Sequence, residues 1–153
     1  MVAVPLIVAG LTIAHTGLFA KESAPEPGVA GVEAVVSTDR DIYCHEEPIT
    51  VSVINDSSFR LITQTGESFC SWVNFEALTD QGWRVVAPCI AGAPPSLVRI
   101  EPGGRESITF MPGHSLYQAL MPGQYRAAVT LMTDDVQPQR FRVMTEFVVQ
   151  RCG

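Results

Sequence analysis

The chain has 153 residues, a charged fraction of 17% and a formal net charge of −6, and all but one of its ten basic residues are arginine. Because these arginines form no basic run, the composition argues against a nucleic-acid-binding surface. The 12 glycines and 11 prolines suit strands and turns better than helices.

The N-terminal residues 2–20 contain no Lys, Arg, Asp or Glu and are mostly apolar, and the run ends at Lys21. Such a stretch is typical of a secretory signal peptide; an uncleaved anchor is the alternative, because about 20 apolar residues span a bilayer. Residues 21–31 carry Pro and Gly without periodicity and are predicted to be a linker. We therefore expect one domain over 32–153, secreted or extracytoplasmic, that touches a membrane only through an uncleaved N-terminal segment.

Short alternating segments make up the rest of the chain. Residues 32–43 are predicted to form one edge strand that breaks near 38–41 and switches sheets. A turn at 79–82 is predicted to close a hairpin with Leu78 opposite Trp83. Other strands are predicted at 48–55, 59–63, 70–78, 83–86, 97–100, 106–110, from Tyr125 onward, and around 141–147, with an irregular stretch at 111–121 that includes one helical turn at 115–120. Short strands at this spacing, without a long helical period, are typical of an all-β sandwich or barrel.

The segment from Pro122 to Leu131 favours a Greek-key sandwich. Pro122 and Gly123 form a turn that leads into a strand beginning near Tyr125, and the odd-numbered residues from 125 to 131 share one face. In Greek-key sandwiches a Tyr at the start of the sixth strand bonds its hydroxyl to upstream backbone. We therefore expect Tyr125 to be a tyrosine corner, and Pro122, Gly123 and Tyr125 to specify the fold rather than the function.

Four cysteines in an exported chain predict two disulfides. The first strand of such a sandwich often pairs in parallel with the last, which places Cys44 and Cys152 at one end of the domain. Cys70 and Cys89 flank the predicted hairpin, where a bulge would align them. We predict the pairs Cys44–Cys152 and Cys70–Cys89. Zinc binding is the weaker interpretation, because the sequence contains no C-x-x-C pair.

Several of these segments together resemble a known family. Tyr43, Glu47 and the run from Pro48 to Asn55 resemble the "Y-x-x-x-E-P-I-x-V-x-V-x-N" opening of bacterial immunoglobulin-like domains. Residues 75–83, 97–103 and 122–126 are similar to that family's middle hairpin, "L-x-P-G" turn and "P-G-x-Y-R" corner. A related group includes the intracellular (BsuPI-like) proteinase inhibitors of bacilli, from which this chain differs in its apolar N-terminal segment and its cysteines. The resemblance implies an immunoglobulin-like β-sandwich of about 7–9 strands, and it implies no catalytic residue.

The sequence offers little catalytic chemistry. No G-x-S-x-G nucleophile elbow is present, and oxidised cysteines would not act as nucleophiles. His45, Glu46 and Glu47 with His114 at one end, and Asp56 with Asp134 and Asp135 at the other, are weak metal candidates that solvated loops and turns explain better. We expect no enzyme activity, no cofactor and no metal.

The Pro-rich loop at 87–97 is the most suggestive segment for binding. It is largely uncharged and tethered at Cys89, and a stiffened loop loses little entropy when it enters a partner groove or a protease cleft. A plain loop packed on a sheet edge is the more common arrangement. The part that would reach a partner consists of Cys89, Ile90, Ala91, Gly92 and Ala93.

These observations favour an exported, non-catalytic binding or structural module of the cell envelope or medium, with a protein partner and without nucleic acid. The alternative is a proteinase inhibitor that acts through the loop at 87–97. A third hypothesis, a sugar-binding module, requires that Trp72 and Trp83 be exposed. The sequence leaves the partner and the oligomeric state open.

Overall fold

The computed structural model describes residues 31–64, 71–86, 96–111 and 120–153. Within these ranges all regular structure is β-strand, and no helix long and apolar enough to cross a membrane occurs. The described strands are β1 Ala34–Thr38, β2 Ile42–Cys44, β3 Ile49–Asn55, β4 Leu61–Gln64, β5 Val73–Thr79, β6 Gly82–Val86, β7 Leu97–Ile100, β8 Arg105–Phe110, β9 Gly123–Thr133 and β10 Arg140–Gln150.

The strands form two sheets that share one core. The smaller sheet has the order β1-β3-β8, and the larger begins β2-β10-β9. Strand β9 then pairs with β4 at one end and with β5 at the other; β4 continues to β7, and β5 to β6. This non-sequential order is an immunoglobulin-like Greek-key sandwich, as predicted. The nine predicted segments appear as ten strands because the first one divides into β1 and β2.

The first strand switches sheets where the sequence analysis placed the break. Strand β1 pairs antiparallel with β3, and β2 pairs parallel with β10. Tyr43, which is fully buried, bridges the break: its hydroxyl donates to Asp39 Oδ1 at 2.7 Å and accepts from Arg40 N at 3.0 Å. Burial and the bond to Asp39 raise the pKa of Tyr43 to about 12. Tyr43, the first residue of the motif at 43–55, therefore has a structural role in this chain.

A disulfide links the edge strand β2 of the larger sheet to the segment that follows β10. Cys44 at the end of β2 and Cys152 beyond β10 are bonded, with Cα atoms 5.4 Å apart and a sequence separation of 108. This is the first of the two predicted pairs. The predicted Cys70–Cys89 bond lies outside the described residues, as does the predicted helical turn at 115–120.

Tyr125 lies in the core near the start of β9. Its hydroxyl donates to the carbonyl of Met121 at 2.6 Å, and its ring stacks on Phe147 with centroids 5.7 Å apart. The space around Gly123 does not require a glycine, because a Cβ there would lie 3.5 Å from Tyr125 Cε2, which is an ordinary van der Waals contact. Pro122, between Met121 and Gly123, is exposed.

The other end of the sandwich is fastened by Asn55, a fully buried residue. Its Nδ2 donates to the carbonyls of Phe59 at 2.7 Å and Ile100 at 2.9 Å. Its Oδ1 accepts from the Ser57 hydroxyl at 2.6 Å and from the Ser57 backbone N at 3.1 Å. The side chain thus holds the β3–β4 turn against the end of β7. This explains in structural terms why an asparagine ends the motif at 43–55.

Two turns require glycine. Gly82, the last residue of the predicted hairpin turn, has φ of +91°, and Leu78 does lie opposite Trp83. In the turn between β7 and β8, Gly103 has φ of +71°, the value that a type II turn needs after proline. A Cβ on Gly104 would lie only 2.8 Å from the carbonyl oxygen of Glu101.

Candidate functional site: the outer face of the larger sheet

The larger sheet turns one side to the core and the other away from it. We define the outer face of the larger sheet as the positions that point away from the core: 42 and 44 in β2, 62 and 64 in β4, 74, 76 and 78 in β5, 83 and 85 in β6, 97 and 99 in β7, the even positions 124–132 in β9, and the even positions 140–150 in β10. The alternation of β9 shows why: residues 125, 127, 129, 131 and 133 are all buried. The outer face of β9 is therefore formed by its even-numbered residues.

A glutamate with two arginines occupies the centre of this face. Glu76 lies directly opposite Arg126 across the β5–β9 pair, and Arg142 reaches it from β10. Arg126 Nε donates to Glu76 Oε2 at 2.6 Å, and an Arg142 guanidinium N donates to the other carboxylate oxygen. Each oxygen of the carboxylate therefore binds a different arginine, and the three side chains tie β5, β9 and β10 together.

Glu76 is 5% exposed, so its ionisation depends on these partners. Burial acts to raise its pKa, but the hydrogen bonds and charges of Arg142 and Arg126 outweigh burial and leave the pKa below its ordinary value of 4.5. The carboxylate is therefore charged at neutral pH, and it holds both guanidinium groups in place.

Trp83 constrains the same arginine from the other side. The Arg126 guanidinium carbon lies 4.6 Å from the centroid of the Trp83 ring. A guanidinium over an aromatic ring gains cation–π attraction. Arg126 is therefore held between the Glu76 carboxylate and the Trp83 ring.

The tryptophans do not form an exposed aromatic platform. Trp72 is buried at 7% exposure, and the ring of Trp83 is half-buried with Arg126 over it. The sugar-binding hypothesis needs flat aromatic rings open to solvent, and these two residues do not provide them.

Exposed apolar side chains lie on the same face as the charged centre. Leu78 is 45% exposed, Val85 62% and Leu97 51%. Leu78 and Val85 flank Glu76 on β5 and β6, and Leu97 lies on β7. The combination of fixed arginines with a nearby aliphatic surface is typical of protein-binding surfaces, where Arg and aromatic anchors dominate the energetics.

Residues that the sequence suggested as metal ligands form ion pairs and hydrogen bonds with other protein groups. His45 approaches Glu46 at 3.8 Å, and Glu47 accepts from Cys44 N and from Arg40. Asp134 at the other end pairs with Arg60. Over the described ranges, no three His, Cys, Asp or Glu side chains cluster as a metal site would require.

Two predicted features fall outside the described residues. These are His114 and the reaching part of the Pro-rich loop, Cys89 to Ala93. The cluster of Glu76, Arg126 and Arg142 was in turn not singled out by the sequence. Its signal was a charged residue at an outward position of each of three strands, which gains meaning only once the strand order makes them neighbours.

Comparisons with known proteins add no family. No protein-family profile matches the chain, and no curated protein matches it. Among solved structures, a β-glucosidase from Listeria innocua in complex with glucose is 18% identical over 77% of this chain at a TM-score of 0.30. A β-glucosidase from Erythrobacter marinus is 14% identical over 78% of it at a TM-score of 0.31. The ASH/PapD-like domain of human CEP192 is 13% identical over 95% of this chain and 100% of that domain, at a TM-score of 0.34.

These likenesses are remote. The chain spans about 16% of the length of each β-glucosidase, so the activity of those enzymes is not carried over to it. With every TM-score well below 0.5, the fold assignment rests on the strand order and register of this chain.

Proposed function

We propose that this chain is an exported, non-catalytic immunoglobulin-like binding module of the cell envelope or medium, and that it binds a protein partner through the outer face of the larger sheet. The observation that carries the proposal is the rigid arginine centre formed by Glu76, Arg126 and Trp83, with exposed Leu78 and Val85 beside it. A side chain that is already fixed loses little entropy when it binds. Such a surface is ready for a partner without rearrangement.

Export is supported by two independent features. The Cys44–Cys152 disulfide is of a kind that persists in oxidising compartments outside the cytosol. Residues 2–20 supply the uncharged apolar run that a secretory signal or an anchor requires. We also propose that Tyr125 serves as a tyrosine corner, supported by its 2.6 Å bond to Met121. Its role is then to hold the fold, while binding belongs to the sheet.

The binding face is testable with a matched pair of valines. Val85 is 62% exposed on the outer face of the larger sheet, and Val35 is 50% exposed on the outward side of the smaller sheet. A photo-crosslinking amino acid replaces each in turn in the full chain, which is expressed in its own host and irradiated in living cells. We expect a discrete cross-linked adduct from position 85 and none from position 35. Absence of an adduct at position 85 would refute the proposed function.

The proteinase-inhibitor alternative depends on the loop at 87–97. Its position favours it: the loop joins β6 to β7, and within the described residues each of these strands pairs with one neighbour only. An inhibitor should block a serine protease at a near-stoichiometric ratio, and Ile90→Asp should abolish the block. A broad protease panel without inhibition would eliminate this alternative and leave the sheet-face proposal intact.

A further inference from the structure

A row of four side chains crosses the outer face of the larger sheet at one end. Register places Arg99 of β7 beside Ile62 of β4, Ile62 beside Met132 of β9, and Met132 beside Arg140 of β10. The row therefore reads arginine, apolar, apolar, arginine across four adjacent strands. Arg99 and Arg140 are both exposed, while Ile62 and Met132 are half-buried.

The two arginines of this row differ from the pair at the centre of the face. Arg126 and Arg142 are bound to Glu76. In the part of the chain that the structure describes, no carboxylate lies within ion-pair distance of Arg99 or Arg140. Their guanidinium groups keep their five donors available for a carboxylate from outside.

The charge of the whole face points the same way. The outward positions of its strands carry four arginines, the four just named, and two glutamates, Glu76 and Glu146, which gives the face a net charge of +2. The whole chain has a net charge of −6. On an acidic protein, a positively charged face is the part of the surface that repels an acidic partner least. Such a face therefore favours partners of the opposite charge.

We infer that the partner presents an extended acidic segment to this row, with carboxylates two positions on either side of an apolar residue. This inference rests on the proposed function and specifies the chemistry of its partner. Neighbouring strands lie about 4.8 Å apart, so three steps from Arg99 to Arg140 span roughly 14 Å. Residues i and i+4 of an extended chain are about 13 Å apart and share a face with i+2. Glu-x-Leu-x-Glu therefore matches arginine, apolar centre and arginine.

The apolar centre decides between a protein and an anionic polysaccharide. A polysaccharide would neutralise Arg99 and Arg140 but leave Ile62, Met132 and the exposed Leu97 facing a hydrated chain. A peptide places an aliphatic side chain there and removes that apolar surface from water. We therefore assign the row to a protein segment.

The test uses fluorescence anisotropy on the oxidised full chain with four labelled or competing probes. The first is a twelve-residue peptide that repeats Glu-Ser-Leu-Ser; the matched controls replace every Glu by Lys or every Leu by Ser. Polygalacturonate serves as the polyanion without apolar groups. We expect the Glu/Leu peptide to bind about tenfold more tightly than either control peptide, with affinity falling as salt rises. Equal binding of the Lys peptide, or a preference for polygalacturonate, would overturn the inference.

Charge reversal locates the site. Arg99→Glu with Arg140→Glu should weaken binding of the Glu/Leu peptide about tenfold or more, because two attractions become repulsions. Arg105→Glu makes the same chemical change on the outward side of the smaller sheet, where Arg105 is opposite Ile54. Since packed sheets lie about 10 Å apart and the Debye length is about 8 Å at physiological salt, this control should change affinity less than about twofold.

The cross-linking experiment separates this inference from the proposed function. The double arginine variant is combined with the photo-crosslinker at position 85, and circular dichroism confirms that it folds. Loss of the adduct supports the acidic partner. An adduct that persists in the double variant at wild-type yield keeps the proposed function and overturns the acidic segment. An adduct missing from the parent chain refutes the proposed function itself.

Discussion

The two sheets of the sandwich present different outward faces, and each face satisfies its polar groups in its own way. On the smaller sheet, Thr50 and Thr109 pair through their hydroxyl oxygens at 2.9 Å, and Ser52 and Ser107 do the same at 2.8 Å. The strands there carry one outward charge, Arg105. At the centre of the larger sheet's outer face, two long charged side chains, Arg126 and Arg142, are bound to the buried carboxylate of Glu76.

The difference lies in what each face leaves for a partner. The short hydroxyl groups of the smaller sheet bond to each other across strands, so they are uncharged and their hydrogen bonds are already made. On the larger sheet, in contrast, the single carboxylate of Glu76 accepts hydrogen bonds from two guanidinium groups, each of which has several donors. The larger sheet thus keeps fixed positive groups beside exposed Leu78 and Val85. The proposed binding therefore belongs to the larger sheet, and the smaller sheet serves as its internal control.

The largest expected effect concerns the covalent tie at the edge of the larger sheet. Cys44→Ser with Cys152→Ser removes the bond between β2 and the end of β10. A disulfide that closes a loop of about 100 residues contributes about 4.7 kcal/mol in the chain-entropy model. We expect the free energy of unfolding in denaturant to fall by about 4 kcal/mol under oxidising conditions. A loss below about 1 kcal/mol would show that β2 is held by its parallel pairing and Tyr43 instead.

The second effect concerns the charged centre. Glu76→Ala leaves Arg126 and Arg142 close together in a partly buried site without their counter-ion. Removing one partner of a buried ion pair typically costs about 3–5 kcal/mol, and we expect about 3 kcal/mol here because both arginines keep some exposure. Chemical denaturation measures the loss. If Glu76→Ala costs no more than a hydroxyl deletion on the smaller sheet, the two faces are energetically alike and the comparison fails.

Much of the fold could be predicted from alternation and turn chemistry. The odd-numbered face of β9 is buried from Tyr125 to Thr133, and the hairpin register at Leu78 and Trp83 follows from the predicted turn at 79–82. The first strand's switch between sheets, and with it the Cys44–Cys152 bond, followed from the interruption at residues 38–41. In each case the signal was local: a period of two, a turn residue or a break in the alternation.

What the sequence did not reveal depends on strand order. Strand β9 pairs with β4 near Met132 and with β5 near Arg126, and no local pattern encodes that division. Glu76 was visible as an outward residue beside Phe75, yet its two partners lie 50 and 66 positions away. A buried ion pair between distant strands leaves no periodic signal. The candidate site therefore became recognisable only from the assembled sheet.

A smaller effect follows from the pH dependence of the same carboxylate. The folded pKa of Glu76 lies below its ordinary value of 4.5. The stability that it contributes is therefore fully present above about pH 4.5 and is lost as the pH falls through the folded pKa. We expect Glu76→Gln to be less stable than the parent at pH 7, and this difference to narrow below pH 4.5. Thermal unfolding from pH 3 to pH 7 measures it.

The pH dependence of the parent's stability does not by itself report Glu76, because other carboxylates with lowered pKa values contribute to it as well. The hydrogen bonds of Asp39 and of Glu47 also lower their pKa values, so both add to the acid sensitivity of the parent and of the variant alike. Only the difference between the two proteins reports Glu76. A difference that stays constant down to pH 3 would mean that the carboxylate is not linked to folding.

The smallest effect belongs to the smaller sheet and completes the comparison. A double-mutant cycle with Ser52→Ala and Ser107→Ala isolates the bond between the two hydroxyl groups, which lie 2.8 Å apart. Exposed cross-strand hydroxyl pairs contribute roughly 0.2–1 kcal/mol, because water replaces the lost partner at little cost. The matching cycle with Glu76→Ala and Arg142→Ala should give a larger coupling energy, since water reaches that buried carboxylate poorly. Equal coupling energies in the two cycles would mean that the charged centre is no more rigid than the hydroxyl pair, and the physical reason for placing binding on the larger sheet would be lost.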